Sequence, residues 1–365
     1  MTKQPFIPPK LPPKVDYSTL LMKIVEARDV VARFDEAVKK LPNPEIIQRS
    51  IRTKEAVLSS RIEGTQVTLN EVFFLDAKDE LNEKTQQQMD YREVINYRKA
   101  IAVGKNLLKE RPLTENIIKE LHKILLDSVR GKNKNPGQFR REQVYIGKPG
   151  VSINQASFIP VPPQVISDLF SDLEKFLHLE KNIDPIVQIA IAHYQFEAIH
   201  PFADGNGRVG RLMIPLFLYE KKVTSYPNIF VSEYLEEHRE EYYLRLKNVS
   251  EKGEWVEWIE FLLGAIIDQT RKTRGVVHEI ENLYRELHDN SHKFNSIYTG
   301  ALIDAIFQAP HFTVRKIKKI SGIKNNQTLY NLIDKFVDDG ILVDTLPDIS
   351  RNKIYKFEKI MQIIA

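Results

Sequence analysis

Twelve consecutive residues, 200–211, carry the side chains that phosphate chemistry needs. They read His-Pro-Phe-Ala-Asp-Gly-Asn-Gly-Arg-Val-Gly-Arg. His200 is a candidate general base, because the pKa of an unperturbed imidazole lies near neutrality. Asp204 offers a hard oxygen ligand, which suits Mg2+ or Mn2+ bound together with substrate phosphates. The run therefore predicts a site that activates a hydroxyl beside a polyphosphate.

The glycines and arginines of the same run predict how the phosphates are held. Gly205, Asn206 and Gly207 let backbone N–H groups face an anion, since glycine tolerates positive φ and close approach. A helix that begins near Asn206 points its positive dipole end at that anion. Arg208 and Arg211 share a helix face and can clamp phosphate oxygens. A glycine-rich turn with surface arginines and a structural histidine is the competing interpretation, which the complete ordered set disfavours.

The run is identified as the signature HPFx[D/E]GNGRxxR of the Fic (filamentation induced by cAMP) family, with every fixed position present. The flanking residues 193–199 and 212–215 also resemble family sequences. The resemblance implies an ATP-dependent protein adenylyltransferase, in which His200 deprotonates a Ser, Thr or Tyr hydroxyl of a target protein and Asp204 holds Mg2+ (or Mn2+). AMP would pass to the target, or to the enzyme itself, and pyrophosphate would leave. Such a transfer needs mainly positioning and charge neutralisation.

Composition sets the class of protein. A chain of 365 residues is long enough for two or more domains, and 42% hydrophobic and 28% charged residues are ordinary for a globular protein. No stretch approaches the roughly 18 apolar residues of a membrane span, and the N-terminus lacks the apolar core of a signal peptide. The absence of cysteine excludes disulfides and thiolate metal sites. We therefore expect a cytoplasmic protein with no membrane contact, whose net charge of +4 permits an anionic partner without requiring one.

Helical periodicity dominates the chain and, with the resemblance, predicts a mainly α fold: a Fic helical bundle with a β-hairpin flap and a small C-terminal winged helix-turn-helix domain. Asp184 and Pro185 predict the start of a helix that leads to His200. A proline-rich arm, residues 3–14, should be extended and docked across the chain's own body rather than on a partner. The predicted domains are residues 1–110, an N-terminal helical region with the arm and an inhibitory helix; 111–263, the Fic catalytic core; 264–293, a helical connector; and 294–365, the winged helix.

A change of texture at residues 131–163 predicts a β-hairpin or an irregular flap between helices. Glycine, proline, asparagine and lysine accumulate there, and residues 143–146 and 156–161 alternate as short strands do. In Fic proteins a hairpin at this place holds the backbone of the target beside the active site, and strand-edge addition is a sound way to present a hydroxyl. An ordinary surface hairpin is the alternative.

The resemblance also implies nucleotide contacts outside the signature. Family members often carry a tyrosine pair that packs near the adenine, and Tyr242 or Tyr243 fits that place, although core packing explains either equally well. The full predicted nucleotide-binding set is Val144, Tyr145, Ile146, Gly147, Asp204, Gly205, Asn206, Gly207, Arg208, Val209, Gly210, Arg211, Tyr242 and Tyr243.

Residues 59–64, Ser-Ser-Arg-Ile-Glu-Gly, match the inhibitory pattern [S/T]xxxE[G/N] that accompanies many Fic domains. Ser59 and Glu63 are four residues apart and would share a helix face, and Gly64 suits a left-handed residue at the end of that helix. The Glu63 carboxylate would bind Arg211, which otherwise holds the ATP γ-phosphate, so that removal of Glu63 switches the enzyme on. A helix-terminal glutamate followed by a capping glycine is the plain alternative.

The C-terminal residues predict three helices and a two-stranded wing. The helices cover about residues 301–307, 313–320 and 326–338, and the strands 340–344 and 353–357. Such a domain binds DNA or docks proteins. The candidate base contacts are Asn325, Asn326, Gln327, Thr328 and Asn331, and the candidate phosphate contacts are Arg315, Lys316, Lys318, Lys319, Arg351 and Lys353.

Two rival functions remain at this point. A DNA-binding regulator would use the winged helix as its main site and the Fic domain only to tune it. Another phosphoryl-type transfer, or removal of AMP from a modified target, would keep the same catalytic site. The intact Gly-Asn-Gly loop favours AMP transfer, and the family resemblance also predicts a homodimer.

Overall fold

The computed structural model of the chain describes residues 4–41, 43–78, 85–129, 131–147, 150, 152–348 and 352–365. It is 66% helical, so the mainly α class predicted from the sequence is confirmed. The helices are α1 (Leu21–Lys39), α2 (Pro44–Ile62), α3 (Leu69–Ala77), α4 (Gln86–Leu107), α5 (Glu115–Leu125), α6 (Ile166–Leu179), α7 (Pro185–Ile199), α8 (Asn206–Glu220), α9 (Ser232–Glu237), α10 (Arg239–Lys252), α11 (Trp255–Asp289), α12 (Thr299–Gln308), α13 (Val314–Ser321), α14 (Asn326–Asp338) and α15 (Glu358–Ile364). The strands are β1 (His311–Thr313), β2 (Leu342–Asp344) and β3 (Ile354–Phe357).

The chain divides into two compact units. The first contains Met1–Asp35, Leu58–Thr65 and Ile95–Arg271, and the second contains Glu36–Val57, Gln66–Val94 and Lys272–Ala365. These units do not follow the four ranges predicted from the sequence, because α1, α2, α4 and α11 each contribute residues to both. The predicted domain boundaries therefore stay a prediction.

The first unit is built around α7. All but two of its 15 residues are buried, among them the polar Gln188, His193 and Gln195, and it packs against α6 and α8. Asp184 begins it as predicted, because its Oδ1 accepts a hydrogen bond from the Ile186 N–H at 2.8 Å and Pro185 follows at the first helical position. A fully buried helix is a rigid support for the residues that follow it, and His200 is the first of them.

The second unit carries a small sheet that the sequence analysis described incompletely. Its strand order is β1-β3-β2 with antiparallel pairing throughout. The two predicted wing strands are present as β2 and β3, whereas β1 was missed, because three residues are too few to show alternation. Helix α3 packs on β1, where Phe73 stacks on His311 with ring centroids 6.4 Å apart.

The predicted division at residues 263 and 264, between the catalytic core and the helical connector, falls inside the single helix α11, whose buried face continues on both sides of Gly264 with Leu263, Ala265 and Ile266. Of the two predicted forms of the flap, the described residues show the irregular one, since their only pairing there is the antiparallel bridge between Ile146 and Phe158.

The proline-rich arm docks on the first unit, as expected. The Phe6 N–H donates to the Ile159 carbonyl at 2.9 Å, and Gln195 Nε2 donates to the Pro9 carbonyl at 3.1 Å. Within the described ranges, no helix has the length and apolar character needed to cross a bilayer.

Candidate active site

His200 lies where α7 ends, as predicted. Its backbone is left-handed, with φ 50° and ψ 60°, a conformation that residues other than glycine seldom adopt, and its side chain is 20% exposed. Burial lowers the pKa of His200 to about 4; the Glu197 backbone and the Glu63 charge oppose this shift, and the Arg140 charge adds to it. The imidazole is therefore neutral at pH 7, which is the form that a general base requires.

The loop after His200 is closed by hydrogen bonds of Asn206 and leads into α8. The Asn206 side chain accepts from the Phe202 N–H at 2.9 Å and donates to the Phe202 carbonyl at 2.8 Å. Gly205 precedes α8 with φ 79°, which only glycine adopts freely. Asn206 was predicted as a nucleotide contact, but its side chain holds the loop in shape. The N–H groups that begin α8 are what the loop presents to an anion.

Arg211 is buried, with a side chain 1% exposed, and it is held by the segment that ends at Gly64. Its Nε donates to Ser59 Oγ at 2.9 Å, and its Nη2 donates to the Ser59 carbonyl at 2.9 Å and to Glu63 Oε1 at 2.7 Å. Gly64 has φ 98°, as expected for the left-handed end of a helix, while Glu63 lies in the turn just after α2 rather than within the helix.

The Glu63 carboxylate also lies against the glycine loop. A Cβ atom at Gly207 would overlap Glu63 Oε1 and would lie 2.9 Å from Arg211 Nη1. Burial alone would raise the pKa of Glu63, but the charge and hydrogen bond of Arg211 outweigh burial and lower it. An ionised carboxylate therefore lies beside the arginine and the loop glycine that were predicted to hold phosphate.

Asp204 and Arg208 flank the other side of the loop. The Asp204 side chain is 41% exposed, and its Oδ1 lies 3.8 Å from Nη2 of the buried Arg208. Nowhere in the described ranges do three His, Cys, Asp or Glu side chains come together as a metal site. One accessible carboxylate fits Mg2+ only if substrate phosphates and water supply the remaining ligands, which is how Mg2+ usually binds with nucleotides.

Comparison with known proteins matches both the motif and the region before it. The profile of the Fic/DOC family matches residues 112–218, and that of the Fic/DOC family N-terminal region matches residues 21–106. The chain belongs to the Fic/DOC family.

Relatives of this Fic chain carry related names. A probable protein adenylyltransferase of Aquifex aeolicus is 27% identical over 285 residues, which cover 77% of this chain and 79% of that protein. The protein adenylyltransferase Fic of Culex quinquefasciatus is 33% identical over 184 residues, which cover 49% of this chain and 31% of that protein. The match thus spans less than a third of the mosquito protein's length.

Solved structures agree on the fold. A Fic family protein of Desulfovibrio desulfuricans G20 has a TM-score of 0.60 at 24% identity, covering 95% of this chain and 98% of that one. Fic-1 of C. elegans (residues 134–508) has a TM-score of 0.54 at 23% identity, covering 71% of this chain and 75% of that one. At these identities the likeness establishes the Fic fold and nothing finer.

The flap of this Fic domain is fastened to the catalytic turn by Arg140, which the sequence analysis did not single out as a site residue. Arg140 is 4% exposed, and it donates to the carbonyls of Glu142 at 3.1 Å, His200 at 2.9 Å and Val161 at 2.5 Å. The first and last of these carbonyls lie on the two sides of the flap. The flap residues predicted to contact nucleotide follow Glu142; of these, Val144 is half-buried and the exposed ones are Tyr145, Ile146 and Gly147.

The tyrosine pair divides into a buried and an exposed member. Tyr242 is 2% exposed, and its hydroxyl is 2.9 Å from Nε2 of the buried His193. That placement makes Tyr242 a core residue behind Arg211 and not a stacking surface. Tyr243 is 45% exposed, with Arg239 over its ring at 5.9 Å, so the prediction of a base contact rests on Tyr243 alone.

Two residues of the predicted nucleotide-binding set do not face the loop, and one histidine beside the loop was not predicted. Val209 is fully buried, and a Cβ at Gly210 would overlap the Glu197 carboxyl, so neither faces the loop as a phosphate ligand would. His122 of α5 was missed: its Nδ1 accepts from the Gly137 N–H at 2.8 Å and its Nε2 bonds the Asp204 carbonyl at 2.9 Å. A single histidine on an apolar helix face gives no sequence signal for this role.

Proposed function

We propose that this chain is an autoinhibited protein adenylyltransferase, which transfers AMP from ATP to a Ser, Thr or Tyr hydroxyl of a target protein or of itself. The observation that carries the proposal is the arrangement of the loop, which has neutral His200 at one end, the start of α8 at the other and the buried Arg211 behind it. The names of the Aquifex and Culex relatives support the same activity.

The proposed reaction uses these groups in turn. His200 Nε2 takes the proton of the target hydroxyl while the hydroxyl oxygen attacks the α-phosphorus, and the bond to pyrophosphate breaks. The N–H groups at the start of α8, with Arg208 and Arg211, stabilise the phosphate charge. Asp204 would hold Mg2+, which supplies further neutralisation of the phosphates when bound.

Autoinhibition follows from the position of Glu63. Its carboxylate occupies the same fork of Arg211 that a γ-phosphate oxygen needs, and it lies against Gly207. A phosphate cannot share that fork without displacing it, and charge-assisted pairs of this kind are strong enough to compete. ATP would then bind with its phosphates misplaced until Glu63 moves away.

The test compares wild type, Glu63→Gly and Glu63→Gly/His200→Ala with α-labelled and γ-labelled ATP, with and without cell lysate. We expect α label on protein with Glu63→Gly, much less with wild type, and none with the double variant. Equal labelling of wild type and Glu63→Gly would contradict the proposed autoinhibition. Transfer of the γ label would show that the chain phosphorylates its target instead of transferring AMP. Loss of label from a modified protein would indicate de-AMPylation.

DNA binding through residues 294–365 is the rival prediction, and the structure gives it little support. The Lys316 ammonium donates to the Asp76 carbonyl, and Lys318 Nζ donates to Asn326 Oδ1 at 2.6 Å, so these two of the six predicted phosphate contacts are engaged within the second unit. Arg351, another predicted contact, lies outside the described residues. Sequence-specific DNA binding by the Glu63→Gly/His200→Ala protein, together with absence of labelling in Glu63→Gly, would favour the regulator instead. The homodimer stays a prediction.

A further inference from the structure

His122 of α5 is completely buried beside the loop of residues 200–205, and both nitrogen atoms of its ring are bonded to backbone. The Gly137 N–H donates to Nδ1 at 2.8 Å, and Nε2 lies 2.9 Å from the Asp204 carbonyl oxygen. Because Nδ1 accepts a hydrogen bond, it carries no proton, and the Nε2–H is the donor to Asp204. The two hydrogen bonds therefore fix one neutral tautomer and one orientation of the ring.

The hydrogen bond from His122 fixes the main chain of the loop at Asp204. The His122 ring also stacks on Phe202 of the same loop, with centroids 3.7 Å apart and 11° between the ring planes. A peptide unit is planar and trans, so its carbonyl and its N–H point in opposite directions. With the Asp204 carbonyl held by His122, the Gly205 N–H points away from α5. The same bond also fixes the backbone from which the Asp204 side chain projects.

Gly131 leaves room for the Asp204 carboxylate. Its φ is 84°, and a Cβ atom at this position would lie 2.7 Å from Asp204 Oδ2, closer than side-chain carbons approach an oxygen. The other carboxylate oxygen, Oδ1, lies 3.8 Å from Arg208 Nη2. The position of the carboxylate thus depends on His122 for its main chain and on Gly131 for its space.

The earlier part of the loop is held by other groups. Arg140 Nε donates to the His200 carbonyl at 2.9 Å, and the Arg140 N–H donates to the Pro201 carbonyl at 2.9 Å. Asn206 bonds both backbone groups of Phe202. Loss of the His122 bond should therefore disturb the loop at Asp204 while residues 200–202 keep their own hydrogen bonds.

We propose that His122 is a positioning residue for Asp204, whose carboxylate it orients towards the Mg2+ that accompanies the ATP phosphates. The inference rests on the proposed function. Because His122 has no exposed surface, it acts through the main chain of Asp204 and not on the nucleotide. A carboxylate that is already oriented loses less freedom when it binds a cation. Residues that orient a metal ligand typically contribute about 10- to 100-fold to metal affinity or activity.

The test separates the two hydrogen bonds of His122 in the Glu63→Gly parent. His122→Asn keeps an acceptor near the position of Nδ1 for Gly137, but it is too short to reach Asp204. His122→Gln places an amide N–H near the position of Nε2 and keeps the bond to Asp204. The probe is the α,β-methylene analogue of ATP, which cannot release pyrophosphate, titrated in EDTA and in excess Mg2+.

The measured quantity is the ratio of the Kd values for the analogue without and with Mg2+. We expect Mg2+ to tighten binding about tenfold or more in the parent and in His122→Gln, and less than about twofold in His122→Asn. The Kd in EDTA should agree within about twofold among the three proteins. In the labelling assay, His122→Asn should lower kcat about 10- to 100-fold.

Matched controls separate positioning from packing. His178→Asn removes another histidine bond to a carbonyl, that of Leu113 at 3.0 Å, so it should lower stability and leave the Mg2+ effect unchanged. Gly131→Ala should abolish the Mg2+ effect without altering His122. Gly253→Ala, at a glycine with φ 71° and open space around it, should not. His122→Leu, which makes neither hydrogen bond, replaces His122→Asn if the latter does not fold.

A Mg2+ effect that survives in folded His122→Asn or His122→Leu would overturn the proposal. An equal loss in His122→Asn and His122→Gln would also overturn it, since the ring would then serve packing alone. Absence of both analogue binding and labelling in the Glu63→Gly parent would refute the proposed function, and this inference with it. A parent that binds and labels, beside a His122→Asn protein that behaves identically, would refute the inference alone.

Discussion

At the scale of single residues, Arg211 is the side chain whose partner changes in the proposed activation. It is fully buried, so it needs an anion at all times, and Glu63 supplies one in the protein described here. ATP would supply another. The competition between carboxylate and phosphate for one guanidinium therefore couples stability to nucleotide binding.

The first prediction concerns Glu63→Gln. We expect the free energy of unfolding to fall by about 1–3 kcal/mol without ATP, since the buried Arg211 loses its counter-ion while water screens part of the Glu63 carboxylate, whose side chain is 35% exposed. Saturating MgATP should restore more stability to this variant than to the wild type. Urea unfolding with and without MgATP measures both. The control is Glu241→Gln, whose exposed pair with Arg245 should be worth about 0.5 kcal/mol or less; equal losses would contradict the prediction.

The second prediction is the pH dependence of Glu197→Gln. Because the folded pKa of Glu197 is about 8 against a usual value of 4.5, the folded state binds the extra proton and stability falls as pH rises from 4.5 to 8. The variant lacks this loss, so it should be more stable than wild type at pH 8 by on the order of 1–3 kcal/mol. The difference should vanish near pH 4.5. Denaturant melts at both pH values measure it, and a constant difference would show that Glu197 does not titrate between them.

At the scale of elements, a single residue, Arg140, is hydrogen-bonded to both the flap and the catalytic turn at His200. Arg140 donates only to backbone carbonyls in its described hydrogen bonds, and these carbonyls belong to both sides of the flap and to the turn at His200. A guanidinium fork reaches several acceptors at fixed angles, which a lysine ammonium does not. The position of the flap is thus tied to the backbone of the proposed base.

The third prediction is that Arg140→Lys loosens both elements. It should reduce the free energy of unfolding by about 2–4 kcal/mol, because several charge-assisted hydrogen bonds are lost. In the Glu63→Gly parent it should raise the KM for a target protein more than the KM for ATP. The neighbouring exposed Arg141 provides the control, as Arg141→Lys should leave stability and both KM values unchanged. An unaltered KM for the target would show that the hydrogen bonds of Arg140 do not set the position of the flap for target binding.

At the scale of the whole molecule, buried histidines dominate the response to acid. The pKa values of His122, His193, His200 and His311 are each lowered to about 4, with burial the largest cause every time. These are four of the nine histidines, and they lie in both units. Between about pH 4 and 6.5, the unfolded chain, whose histidine pKa values lie near 6.5, therefore binds more protons than the folded chain.

The fourth prediction follows from that difference. Stability should be fully present above pH 6.5 and should fall steeply as pH drops towards 4, by about 1 kcal/mol or more per histidine. Urea unfolding at pH 7, 6 and 5 measures the slope. His311→Phe, which keeps the ring stack on Phe73, should reduce the slope by the contribution of one group. A free energy of unfolding that does not change between pH 7 and 5 would contradict the lowered pKa values of these buried histidines.

Much of the fold and of the candidate site could be read from short-range sequence patterns. Asp184 with Pro185 predicted the start of α7, the spacing of residues 200–211 predicted the loop and the start of α8, and helical periodicity predicted the mainly α class. Where the patterns were short or uninterrupted they failed: β1 is three residues long, and α11 continues through Gly264 where two segments were expected.

The sequence by itself determined the loop between α7 and α8, because neighbours along a chain have distances fixed by local backbone geometry. Only the tertiary structure decided which residues meet that loop. Glu63 and Arg211 are 148 positions apart, and their contact depends on how residues 58–65 are placed beside α8 within the first unit. Packing likewise buried Tyr242 while it left Tyr243 exposed, and set Glu197 behind His200 with Gly210 making room. Which face of a helix is buried depends on the elements packed against it, and those elements are distant in the sequence.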